Sequence, residues 1–122
     1  MLIGIDIRET KEFVSETDKT DNPTVFLIGN LPNSFKLSVL GSIIQSDGKP
    51  DVRAVQNRAP EIVRAGLKGI RNFYDSEKKQ PVEVKAADLT DQFMEMIPVA
   101  VLYELAGKIL EFNFVSETEA KN

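Results

Sequence analysis

The 122 residues contain no histidine, no cysteine and no tryptophan. Without histidine, no side chain has an ordinary pKa near neutrality, and the commonest general base is missing. Without cysteine there is no thiolate nucleophile, no disulfide and no thiolate metal ligand. Carboxylates remain as the one plentiful catalytic group, and a glycosidase needs only two, one with its pKa raised by burial. Glu95 and Glu104 lie near apolar segments. Yet all 19 acids fall in stretches that also read as exposed, and no tryptophan is present to hold a sugar. Composition points away from an enzyme.

Long hydrophobic runs are absent too. The run Pro98-Val99-Ala100-Val101-Leu102 is far too short to span a bilayer. The N-terminus has neither the basic region nor the apolar core of a signal peptide. Asp18 and Asp21, or Asp88 and Asp91, offer oxygen ligands without the dense spacing of a calcium loop. No metal and no cofactor is expected.

What is present is an ordinary globular composition, 42% hydrophobic and 28% charged, in a length that suits a single domain over residues 1–122. The net charge of −4 is unevenly placed. Residues 1–35 carry three bases and six acids, residues 36–85 ten bases and six acids, and residues 86–122 two bases and seven acids. A basic middle between acidic ends favours head-to-tail contact between copies, although such charges are more often plain solvated faces.

The segment from Leu2 to Val14 opens with alternation, Ile3, Ile5 and Ile7 on one side, and predicts a short strand or an extended arm. Residues 15–23 are polar and turn-rich, so residues 1–23 read as arm and loop. Thr24-Val25-Phe26-Leu27-Ile28 is the best strand in the chain. Pro32 suits a helix start, and Phe35, Val39 and Ile43, with Leu40 and Ile44, recur at helical spacing. Asp47-Gly48 marks a turn and Pro50 can open the next helix, which Pro60 must split near Ala59. Residues 70–74 and 81–85, around a charged loop, predict a hairpin. Asp88 or Thr90 can cap a helix containing Leu89, Phe93 and Met96, and Ile97-Pro98 breaks it. Leu102, Leu105, Ile109 and Phe112 then repeat at helical spacing, with Glu104 and Lys108 set to pair four residues apart. The expected architecture is α+β: a small antiparallel sheet or hairpin with helices over residues 32–46, 50–68 and 90–113, behind an N-terminal strand or arm.

Three further patterns stand in the sequence. Gly66-Leu67-Lys68-Gly69, with Arg64 and Arg71 beside it, has the spacing of a KH-type phosphate clamp. A helix end followed by a turn into a strand explains it as well, and the overall acidity argues against nucleic acid. Ser116 and Glu119 have capping-box spacing. The pentapeptide Phe13-Val14-Ser15-Glu16-Thr17 recurs at residues 114–118 in unrelated surroundings, as a chance match would.

The stretch Gly66-Leu67-Lys68-Gly69-Ile70-Arg71-Asn72-Phe73-Tyr74-Asp75, then Ile97-Pro98, Glu104-Leu105-Ala106 and the ending Asn113-Phe114-Val115-Ser116-Glu117-Thr118-Glu119-Ala120-Lys121-Asn122, resembles small tailed-bacteriophage morphogenesis proteins. Asn22-Pro23-Thr24-Val25-Phe26 after an acidic loop is similar as well, and tail assembly chaperones are the nearest named relatives. Ile70, where an aromatic would stand, and Glu77-Lys78-Lys79, in place of a glycine, depart from the pattern. The resemblance implies a non-enzymatic subunit of the virion, in head, neck or tail, that is present in the host cytoplasm during assembly. Its partners would be other phage structural proteins of capsid or tail, or further copies of itself, with no membrane. The alternative is a tail assembly chaperone absent from the mature particle, and a KH-like nucleic-acid module comes third. Candidate partner-binding residues are Ile3, Ile5 and Ile7 of the arm and Leu102, Leu105, Ile109 and Phe112 of the last helix. Arg64, Lys68 and Arg71 are the nucleic-acid candidates.

Overall fold

The computed structural model describes residues 1–45 and 47–115, the last of these by its backbone alone. Strands β1 (Thr10–Phe13), β2 (Val25–Gly29), β3 (Leu67–Asp75) and β4 (Gln80–Lys85) form one antiparallel sheet in sequence order. Helices α1 (Asn33–Ser42), α2 (Val52–Asn57) and α3 (Ala59–Gly66) lie between β2 and β3 in the chain, and α4 (Asp91–Met94) and α5 (Val99–Leu110) follow β4. This is the α+β architecture expected, with the hairpin at β3–β4 and the helix break beside Ala59 both in place.

Core formation follows from the register. Phe26 pairs with Ile70 and Ile70 with Val84, so all three point to one face, where they are buried. A bulge then keeps the next apolar residue on that face: Ile70 opposes Val84 but Phe73 opposes Val82, three residues along β3 against two along β4. Asn72 absorbs the extra residue at φ 59°. Its Nδ2 donates to the Asn22 carbonyl at 2.7 Å, and its own carbonyl accepts from Thr24 Oγ1 at 2.8 Å. Phe73 is thereby aimed at Phe93 of α4, ring centroids 5.3 Å apart.

The helices cover this face. Helix α5 packs on α3, α2 and β2, burying Leu102, Leu105, Ala106 and Ile109. Gly66 allows the close approach of α3, because a Cβ there would overlap Ile109 Cγ2 and lie 3.0 Å from its Cδ1. Arg58, between α2 and α3, ties α1 to them. Its guanidinium donates to Ser38 Oγ at 3.2 Å and Ser42 Oγ at 2.9 Å, pairs with Glu61, and lies 5.3 Å from the Phe35 ring centroid.

Local starts and stops differ from expectation in instructive ways. Helix α2 begins at Val52 rather than Pro50, because the Asp51 carboxylate caps it, accepting from the Arg53 and Ala54 amides. Pro50 instead bridges to Ile44. Pro60 sits in the first turn of α3, where its missing N–H costs nothing, so the two helical pieces meet beside Ala59 as expected. Gly48, at φ +83°, makes the expected turn. Thr90 caps α4 through Oγ1, and α5 starts directly after Pro98.

The N-terminal segment is a strand only in its second half. Residues 2–8 form no strand; β1 begins only at Thr10, where Phe13 pairs with Phe26 in register and approaches its ring, centroids 6.4 Å apart. The Ser116 capping box and most of the second pentapeptide copy lie outside the described residues.

Candidate interaction surface

The alternating isoleucines are left without a strand partner. Every residue from 1 to 9 is exposed, Ile3 at 90%. Register explains where this arm goes. Thr10 lies opposite Gly29, so the arm leaves the sheet at the end where β2 runs on into α1. A turn redirects it: the Arg8 amide donates to Asp6 Oδ1 at 3.0 Å, and the Glu9 amide to the Asp6 carbonyl at 3.2 Å. Beyond the turn, Ile5 borders a surface depression with Asn33, Lys36, Leu37, Leu40 and Phe114.

Helix α1 is therefore apolar on two sides. Val39 and the following Ile43 are buried, as their spacing predicts. Leu37 and Leu40 face out, 70% and 51% exposed. Leu40 recurs at helical spacing with these residues but lies on the outer side of the helix. Leu37 lies off the Val39–Ile43 stripe, and that offset is the sequence signal for a second apolar face.

The seven partner-binding candidates do not form one surface. Ile3, Ile5 and Ile7 are exposed on the arm, whereas Leu102, Leu105 and Ile109 are core residues and Phe112 is half-buried. The amphipathic face of α5 docks on the chain's own α3 and sheet, which corrects its assignment as an outward surface.

Two polar residues that the spacing argument missed secure this docking. Glu104 does not pair with Lys108; Ser15 Oγ donates to its Oε1 at 2.6 Å and the Glu16 amide to its Oε2 at 3.1 Å. The β1–β2 loop thereby occupies the carboxylate, and Lys108 turns to Glu111. Asn113 is buried in the π-helical turn Glu111–Val115 that follows α5. Its Oδ1 accepts from the Leu31 amide at 2.8 Å, and its Nδ2 donates to the carbonyls of Gly29 at 3.1 Å and Ile109 at 2.8 Å. An asparagine within an otherwise apolar run was the available clue.

The basic candidates are dispersed. Gly66 ends α3 and Leu67-Lys68-Gly69 begins β3, so the Gly66–Gly69 stretch is helix end and strand instead of a loop. Arg64 pairs with Asp91, Arg71 pairs with Glu12 across the outer face of the sheet, and Lys68 Nζ donates to the Ala65 carbonyl at 3.2 Å. The three cations do not converge.

Among the described residues no group of three or more acids could hold a metal ion, and no helix is long and apolar enough to cross a membrane. Among the described residues one carboxyl, that of Asp18, is displaced from its ordinary pKa. The Thr24 amide, then the Thr20 hydroxyl, stabilise its carboxylate and hold the pKa below the ordinary 3.8. These bonds shape the β1–β2 loop. No family model, no curated protein and no solved structure matches the chain.

Proposed function

We propose that this chain is a non-enzymatic structural subunit of a tailed-bacteriophage particle, binding its neighbours through the N-terminal arm. One observation carries the binding role: an alternating apolar segment, Ile3, Ile5 and Ile7, stands exposed and adds nothing to the core of its own domain. Exposed apolar residues so concentrated mark an interaction site. The sequence resemblance supplies the particle. Burial of Leu102, Leu105 and Ile109 supports the subunit over the chaperone, which would present them to a client.

Magnitudes set the geometry of such binding. Burying a fully exposed isoleucine contributes about 1.5–3 kcal/mol, so these three, 90%, 53% and 69% exposed, contribute about 3–6 kcal/mol together. Losing translational and rotational freedom on association costs about 4–15 kcal/mol. One arm alone sits near balance, and repeated or reciprocal arms in an assembly give a stable complex.

Mass spectrometry of purified mature particles from the encoding phage tests this reading, with copy number calibrated against the major capsid protein. The subunit is expected in a fixed stoichiometry. Its absence from mature particles, despite expression during infection, would refute the reading and favour the chaperone.

A further inference from the structure

We infer that the arm docks on α1 of a second copy of this chain, laying Ile3 and Ile5 against Leu37, Leu40 and Phe114; the inference rests on the arm-binding reading and names its partner. The fit is visible within one chain, where Ile5 already borders the depression formed by Leu37, Leu40 and Phe114. The fit is also incomplete there. Ile5 remains 53% exposed, Leu37 and Leu40 more than half exposed, and Ile3 almost fully so.

Tethering explains the incompleteness. The arm must reverse over residues 6–9 to reach its own helix, so only one isoleucine arrives. That reversal is held by two exposed hydrogen bonds, both centred on Asp6, which water replaces at little cost. Once opened, a nine-residue arm spans up to about 30 Å. The ten residues of α1 span about 15 Å. An opened arm can therefore run the full length of a neighbour's α1, with its isoleucines on one side. Surfaces that meet within a chain meet equally well between two, which is the low-cost route to oligomers through exchange of an identical element.

The absence of cysteine makes the test clean, since single-cysteine variants report single contacts. Full-length Ile5→Cys protein is mixed with full-length Leu37→Cys protein carrying a mass tag, then mildly oxidised. The mixed disulfide is expected to dominate over both self-disulfides. Two results would overturn the proposal: a dominant Ile5→Cys self-disulfide, meaning that arms pair with each other, or no mixed disulfide while the double variant closes within one chain. Leu37→Glu, on an exposed position, is expected to convert the associated full chain to monomer in light scattering with its circular-dichroism spectrum unchanged. A chain already monomeric at about 100 μM, where a micromolar dimer is almost wholly assembled, would also overturn it. A variant lacking residues 2–7 separates the two levels. If the intact chain is monomeric yet deletion abolishes incorporation into particles, the arm-binding reading stands and exchange between copies falls. If deletion leaves incorporation intact, the arm-binding reading itself falls.

Discussion

Replacing Asn113 by alanine should destabilise the domain more than any single surface change. Its side chain makes three hydrogen bonds, two of them to residues more than 80 positions away, Gly29 at the end of β2 and Leu31 just beyond it. Removing it strands the buried Leu31 amide, and a buried unsatisfied donor costs about 1–3 kcal/mol. The two carbonyls each lose a bond contributing about 1 kcal/mol, so the total is about 3–5 kcal/mol. With a urea dependence of about 2 kcal/mol/M, the unfolding midpoint should fall by about 1.5–2.5 M. Equilibrium urea unfolding followed by circular dichroism reads this directly. Asn113→Leu, which keeps most of the volume, should lose nearly as much, because packing is not what the residue supplies. A midpoint shift below about 0.3 M for both variants would refute the reasoning, showing that the turn rearranges or takes up water at no cost.

Gly66→Ala should destabilise by about 1–2 kcal/mol in the same assay, since the added methyl meets Ile109 Cγ2, which is fixed by β-branching inside the core. An unchanged midpoint would show that α3 and α5 separate freely. Asp18 gives a pH signature. Its folded pKa lies below the unfolded 3.8, so its contribution is present above that value and is lost as pH falls through the folded pKa. The difference in thermal midpoint between the wild type and Asp18→Asn should stay constant from about pH 7 to 5 and shrink below about pH 4. A difference that persists unchanged down to about pH 2.5 would contradict that assignment.

Much of the fold was legible because local signals agreed with tertiary demand. The β3–β4 hairpin, the helix boundary at Ala59 and the break at Pro98 each carried an apolar period bounded by a backbone constraint. Strand β1 takes only the second half of its segment for a physical reason. Alternation at residues 2–8 is the stronger pattern, but a strand exists only where a neighbour supplies hydrogen bonds, and the polar Thr10–Phe13 segment has β2 beside it. The missed pairing of Glu104 shows the same limit. Helical spacing offered Lys108, whereas the folded chain brought the Ser15 hydroxyl and the Glu16 amide to the carboxylate. The interaction surface was half legible: the arm stood out in sequence, but its complement on α1 required knowing which side of that helix the core takes.

Limited trypsin digestion of the free chain and of the chain within its assembly tests the central claim, that the arm is the binding element. Arg8 is exposed just before β1, so cleavage after it should release the arm rapidly from the free chain. In the assembly that bond should resist trypsin, while the exposed Lys78 and Lys79 in the β3–β4 turn change less. Equal cleavage after Arg8 in both states would contradict the account.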